Sequence, residues 1–125
     1  MRAAYCVLPF ATHFGSTIRI YDLRYEWDDN KNRQNQRKHD GISFELAALV
    51  FEDPFCILRV DYSDETGEQR WHAIGEAQIE AETAAVLLVV HVYREDRDGE
   101  EIIRIISARQ ADKHDVRRYQ EQAVD

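Results

Sequence analysis

Apolar residues in this chain come in short blocks whose spacing changes from one block to the next. Across residues 18–27, Tyr21, Leu23, Tyr25 and Trp27 take every second position. That period predicts a strand with one wet face. The following segment, Lys31-Asn32-Arg33-Gln34-Asn35-Gln36-Arg37-Lys38-His39, has no apolar position at all. Asp28 or Asp29 fits the N-cap of a helix through about His39. A helix without an apolar stripe is either a solvated connector or a binding surface. Asp40-Gly41 stops it. Ser43 then caps a second helix over residues 44–51, with Phe44, Ala47, Ala48 and Phe51 on one face. Asp53-Pro54 ends that helix.

Four further strands are expected: residues 55–62, 70–77, 86–94 and 101–109. The third is the most apolar and reads as central. The acidic stretches 61–68, 76–82 and 95–101 read as loops, with Asp98-Gly99 as a turn. A last helix starts at Ala111-Asp112. Asp112 is its cap, Asp115 completes a capping-box pattern, and Val116 and Tyr119 face the sheet. The order predicts an α+β fold: two N-terminal helices and a C-terminal helix on a mostly antiparallel sheet. One domain is expected over residues 18–125, with residues 1–17 a loosely ordered extension.

Composition narrows the picture. The chain has 125 residues, 44% hydrophobic and 32% charged, which suits one globular domain with a real core. Cys6 and Cys56 follow no metal spacing and read as reduced thiols. No stretch is long enough to span a membrane, and the apolar run near the start is broken by Pro9. The expected location is the cytoplasm. The net charge of -8 disfavours broad nucleic-acid affinity, but it is unevenly spread. Residues 1–50 hold 7 Lys and Arg against 6 Asp and Glu, and residues 51–125 hold 9 against 18. A basic cleft with an acidic rim is compatible with that split, and the rim suits a basic protein partner.

The most telling residue is Arg104, set among Ile102, Ile103, Ile105 and Ile106. A guanidinium keeps its proton, so burying it requires an anion. Two answers stay open. An internal carboxylate such as Glu26 or Asp28 pairs with it, or the strand lines a cleft for an external anion such as phosphate. No phosphate loop, dinucleotide fingerprint, zinc spacing or nucleophile elbow is present. His39, His72 and His91 are not spaced as metal ligands on one element, so no metal site or cofactor is expected. What remains is Lys38 and His39, Arg70 and His72 on one strand face, His91 with Tyr93 and Arg94, then Arg104 and Arg109. Metal-free RNA cleavage needs such parts: a base for the 2′-hydroxyl proton, cations for the phosphate, and an acid for the leaving oxygen. Blander roles compete. His91 equally fits a satisfied core histidine, and the charges over residues 31–38 equally fit a solvated face.

Several blocks resemble the BrnT toxins. They are Glu26-Trp27-Asp28 with Asn30-Lys31-Asn32, Asn35 and Arg37-Lys38-His39; Ile42-Ser43-Phe44-Glu45; Glu68-Gln69-Arg70-Trp71 with Ile74-Gly75; Val90-His91-Val92-Tyr93-Arg94; Asp98-Gly99-Glu100-Glu101; and Ile103-Arg104-Ile105-Ile106-Ser107-Ala108-Arg109. They run in order over about residues 20–121. The resemblance implies a RelE-like fold with a strongly twisted sheet. It implies a metal-independent endoribonuclease toxin of a type II toxin–antitoxin pair, neutralised by a BrnA-like ribbon-helix-helix antitoxin that also carries operator binding. On that basis the catalytic candidates are His39, Arg70, His91 and Arg104. Lys31, Lys38, Arg94 and Arg109 are candidates for holding RNA phosphates.

The chain departs from the family pattern at Asp40, inserted before Gly41; at Gln34 and Gln36, where apolar residues are usual; and at Val92, in place of Thr. Residues ahead of Ile18 have no family counterpart. These departures favour a second reading, a non-cleaving homologue that only binds the antitoxin or regulates the operon. A stand-alone small-molecule-binding protein is a third reading, without a pocket signature.

Overall fold

The computed structural model describes residues 5–6, 15–61 and 67–124. The first expected strand is broken in two. β2 (Gly15–Ile20) and β3 (Leu23–Asp28) form a hairpin about Tyr21-Asp22, with Tyr21 at φ 53°. The cause is visible in the phase of the alternation. Ile18 and Ile20 point inward on even positions, whereas Tyr25 and Trp27 do so on odd ones. A strand cannot change phase without a turn or a bulge. A two-residue strand, β1 (Tyr5–Cys6), pairs antiparallel with β2. Of the expected extension over residues 1–17, residues 15–17 belong to β2, and residues 1–4 and 7–14 lie outside the described residues.

α1 (Asp29–Lys38) follows the hairpin, and α2 (Phe44–Ala48) continues into a 3-10 turn at Leu49–Glu52. The two helices expected at the N-terminus are therefore mid-chain, because the hairpin precedes them. Asp28 caps α1 through Lys31 N–H at 3.0 Å, and Ser43 caps α2 through Leu46 N–H at 3.1 Å. β4 (Ile57–Asp61), β5 (Arg70–Glu80), β6 (Thr83–Glu95) and β7 (Glu101–Gln110) come next. The acidic stretch 76–82, expected as a loop, is mostly strand. Ala77 pairs with Ala85 and Gln78 with Ala84, so the hairpin extends to a tip at Ala81-Glu82. α3 (Lys113–Val124) closes the chain. Its capping box is reciprocal: Asp115 N–H donates to Asp112 at 2.8 Å, and Asp112 N–H to Asp115 at 3.1 Å.

The sheet order is β1-β2-β3-β7-β6-β5-β4. It is mixed: β3 and β7 run parallel and the other neighbours antiparallel. On one face α2 and the 3-10 turn bury Tyr25, Trp27, Phe44, Ala73, Leu87, Val89, Ile103 and Ile105. On the other face Tyr119 of α3 covers Ile74 and Leu88, and its hydroxyl donates to Asp53 at 2.5 Å.

How α1 docks corrects the expectation of a solvated connector. Asn32 and Asn35 are buried. β3 accompanies β7 only from Ile102 to Arg104. Beyond that, Asn35 takes over the exposed edge. Its amide nitrogen donates to Ala108 C=O at 2.8 Å and to Ile42 C=O at 3.0 Å, and its oxygen accepts from Ala108 N–H at 3.1 Å. Asn32 accepts from Phe44 N–H at 2.9 Å and donates to Glu45 at 3.0 Å. The apolar docking residues missing at Gln34 and Gln36 are thus replaced by amide contacts at neighbouring positions.

Asn35→Ala would strand three backbone groups at once. The expected loss is about 2–4 kcal/mol, read from urea unfolding, together with lost hydrogen-exchange protection at Ala108. Gln34→Ala, on the exposed side of α1, should cost under about 0.5 kcal/mol.

Candidate functional site

Strand register sorts the candidate residues onto faces. Glu26 lies opposite Arg104, Arg104 opposite Val92, and Thr17 opposite Glu26. Arg70 follows one residue beyond the Trp71–His91 pair and so flanks Val92 from the other side, with Asp61 opposite it on β4. One row therefore crosses the sheet: Asp61, Arg70, Val92, Arg104, Glu26, Thr17. A second row, Arg59, His72, Val90, Ser107, runs beside it. Both rows belong to the face that α3 covers only in part. Val92 is 1% exposed although it lies among arginines.

A bulge decides which residues join this face. Val90 pairs with Ser107 but His91 pairs with Ile105, so Ile106 is the extra residue. The phase of β7 flips there. Arg104 on the near side, and Ser107 and Arg109 on the far side, end up on the same face. Ile103, Ile105 and Ala108 remain in the core.

Arg104 has an internal partner. Its guanidinium donates to Glu26 at 3.0 Å, and Arg94 Nε lies 3.1 Å from the same Glu26 oxygen. Asp28, the other expected partner, caps α1 instead. One carboxylate between two guanidiniums leaves a net positive charge. Glu26 is sheltered, with 16% of its side chain exposed, while Arg94 and Arg104 are 49% and 32% exposed. Gly15, Ser16, Thr17, Trp27 and Asp28 complete a cleft of about 290 Å³ around them.

A second groove, of about 180 Å³, runs between α1 and β7. Lys31, Lys38 and His39 line it with Ile106 and Ser107. Lys31 and Lys38 are exposed, and His39 is half-buried at the C-cap of α1. These three residues line a groove of their own and are not part of the lining of the arginine cleft. Arg109 is drawn away. It pairs with Asp115 at 3.3 Å, at the capped start of α3.

His91 is placed differently from the catalytic expectation. It is fully buried on the core face, edge-on to Phe51 at 4.8 Å and to Tyr93 at 5.1 Å. Nδ1 donates to Val89 C=O at 3.4 Å, which leaves Nε2 to accept from Tyr93 O–H at 3.2 Å. Burial pushes its pKa down to about 4, so the ring is neutral near pH 7. His91 alternates away from Arg94 and Arg104 and packs on the core side of the sheet.

His72 keeps the strand face that its alternation with Arg70 predicts. It shares the face of Arg70, and its Nε2 lies 3.2 Å from Asp61 Oδ2. The alternation of Arg70 and His72 was the available signal, but the carboxylate comes from a neighbouring strand. Among the described residues no cluster of three metal-ligating side chains occurs.

The family model described as the ribonuclease toxin BrnT of type II toxin–antitoxin systems matches residues 27–115. The chain belongs to the BrnT toxin family. No curated protein and no solved structure matches it. The BrnT match spans Lys31, Lys38, His39, Arg70, Arg94, Arg104 and Arg109. It begins one residue after Glu26, so the carboxylate that holds the two arginines and the strand β2 beside it lie outside the matched segment.

The buried imidazole predicts a pH dependence of stability. The folded chain holds His91 near pKa 4, and the unfolded chain binds that proton near 6.5. Between those values the unfolded state binds more protons, so stability is full above pH 6.5 and falls as pH drops toward 4. The loss attributable to His91 is about 3 kcal/mol. Denaturant unfolding at pH 7 and pH 4.5 should show it, and His91→Phe should remove most of this component.

Proposed function

We propose that this BrnT-family toxin is a metal-independent endoribonuclease whose phosphate site is the sheet face between Arg70 and Arg104. Family membership supports ribonuclease chemistry. The observation that carries the choice of site is the register that sets Arg70 and Arg104 on either side of Val92, on the sheet face that α3 covers only in part. A cleaving phosphate gains negative charge on its oxygens, and fixed guanidiniums stabilise that charge where water is partly excluded. Arg94 extends the positive surface, and Lys31 and Lys38, in the groove between α1 and β7, hold flanking phosphates. His39 is the acid that protonates the departing 5′-oxygen.

In this reading the resting anion of the site is Glu26. RNA phosphate takes over part of its role, drawing Arg94 or Arg104 out of the shared contact. The fold is RelE-like, and the protein acts in the cytoplasm. None of the described helices is long and apolar enough to cross a membrane. The partner is a BrnA-like ribbon-helix-helix antitoxin, which carries operator binding. The acidic rim formed by Glu76, Glu80 and Glu82 on the long β5–β6 hairpin suits a basic partner.

A non-cleaving, antitoxin-binding role is the second reading. Glu26 favours it by already satisfying Arg94 and Arg104 without RNA.

Arg104→Ala separates the two. Removing one transition-state cation is expected to lower RNA cleavage about 100-fold or more and to abolish growth arrest on induction. Antitoxin co-purification should persist, because Glu26 retains Arg94. Wild-type cleavage should be unchanged in EDTA. Normal growth and intact RNA after confirmed soluble expression of the wild type would instead establish the non-cleaving role.

A further inference from the structure

His72 is the histidine that the sheet register places beside the two arginines. Its row, Arg59–His72–Val90–Ser107, neighbours the row Arg70–Val92–Arg104 on the same face. Strands lie about 4.8 Å apart, and alternate residues of one face about 6.7 Å. A phosphate above Val92 is then about 8 Å in the plane of the sheet from the His72 Cα. An imidazole and the intervening ribose span that distance together. The ring is sheltered yet open, with 29% of the side chain exposed, and Asp61 is 18% exposed.

We propose that His72, oriented by Asp61, is the general base that takes the 2′-hydroxyl proton from RNA held across Arg70 and Arg104; this rests on the ribonuclease reading above. Asp61 accepts the Nε2–H at 3.2 Å. That fixes the tautomer and leaves the lone pair on Nδ1. The O2′ proton passes to Nδ1, the O2′–P bond forms, and the P–O5′ bond breaks. Protonated His39 gives its proton to the departing O5′. The products are a 2′,3′-cyclic phosphate and a 5′-hydroxyl. The imidazolium that forms on His72 meets the Asp61 carboxylate, which offsets the cations around it. The charged groups facing His72 are Arg59 and Asp61 from β4 and Arg70 from its own strand. Arg118 and Glu121 of α3 line the groove that Arg59 enters. His91 cannot share this role, since it faces the opposite side of the sheet.

The test uses the full-length protein on a long RNA transcript, with a 2′-deoxy analogue as the uncleavable binding probe. His72→Gln should lower the cleavage rate about 100-fold or more, while binding of the 2′-deoxy probe stays within about twofold. The acid limb of the wild-type pH–rate profile should vanish. Added imidazole should restore part of the activity of His72→Ala, a rescue that a packing role does not allow. Asp61→Asn should also lower the cleavage rate while binding of the 2′-deoxy probe stays within about twofold, because the tautomer is no longer fixed and the imidazolium loses its counter-charge. If His72→Gln loses its cooperative unfolding transition, His72→Asn is judged by the same measures. Cleavage by a folded His72 variant at the wild-type rate, with an unchanged profile, overturns the proposal. If Arg104→Ala still loses cleavage in that case, the ribonuclease reading survives. A wild-type protein that cleaves no RNA overturns that reading, and the His72 proposal with it.

Discussion

The unpaired edge of β7 is the constraint on which the rest of the arrangement depends. β7 is central in the sheet, yet its parallel neighbour β3 leaves after three positions. Buried N–H and C=O groups left open there would cost more than most side-chain contacts return. Asn35 closes the edge with a side-chain amide that mimics a strand residue at Ala108. The same contact seats α1, and α1 carries Lys31, Lys38 and His39 to the groove beside Ser107. A polar helix is held by hydrogen bonds because it has no apolar stripe to bury.

The second organising feature is the bulge at Ile106. A strand presents alternate residues to one face, so Arg104 and Arg109 would otherwise lie on opposite sides. The extra residue returns Ser107 and Arg109 to the Arg104 face and keeps Ala108 in the core. Arg109 is then held by Asp115 of α3. The arginines divide accordingly into a structural one under α3 and a group over Val92. Glu26, reached through the parallel β3–β7 pairing, offsets part of that group's charge. A chain of net charge -8 thereby sets Arg70, Arg94 and Arg104 on one sheet face.

Much of the architecture was legible in the sequence because its signals are local. Helix caps act within three residues: Ser43 and Asp112 are used as read, and Asp28 is the one of the Asp28–Asp29 pair that caps α1. The strand blocks at 70–77, 86–94 and 101–109 carry their own apolar patterns. The ordered motifs around Arg70, Val90-His91 and Ile103-Arg104 pointed to the BrnT family, and the family model matches over them. The hairpin at Tyr21-Asp22 was also written locally, in the phase change between Ile20 and Leu23.

Only the tertiary structure decided which anion Arg104 meets, which face each histidine takes, and what holds α1. Each depends on registry between strands far apart in sequence. Glu26 and Arg104 are 78 residues apart, and Asn35 and Ala108 are 73. His91 and His72 look alike in a one-dimensional pattern, since both alternate on apolar strands. Their difference is whether Phe51 or open solvent lies above the ring. The sequence by itself determined the elements, their caps and the family. Packing determined the phase of β7, and through it which charges share a face, because a one-residue bulge reverses every side chain beyond it.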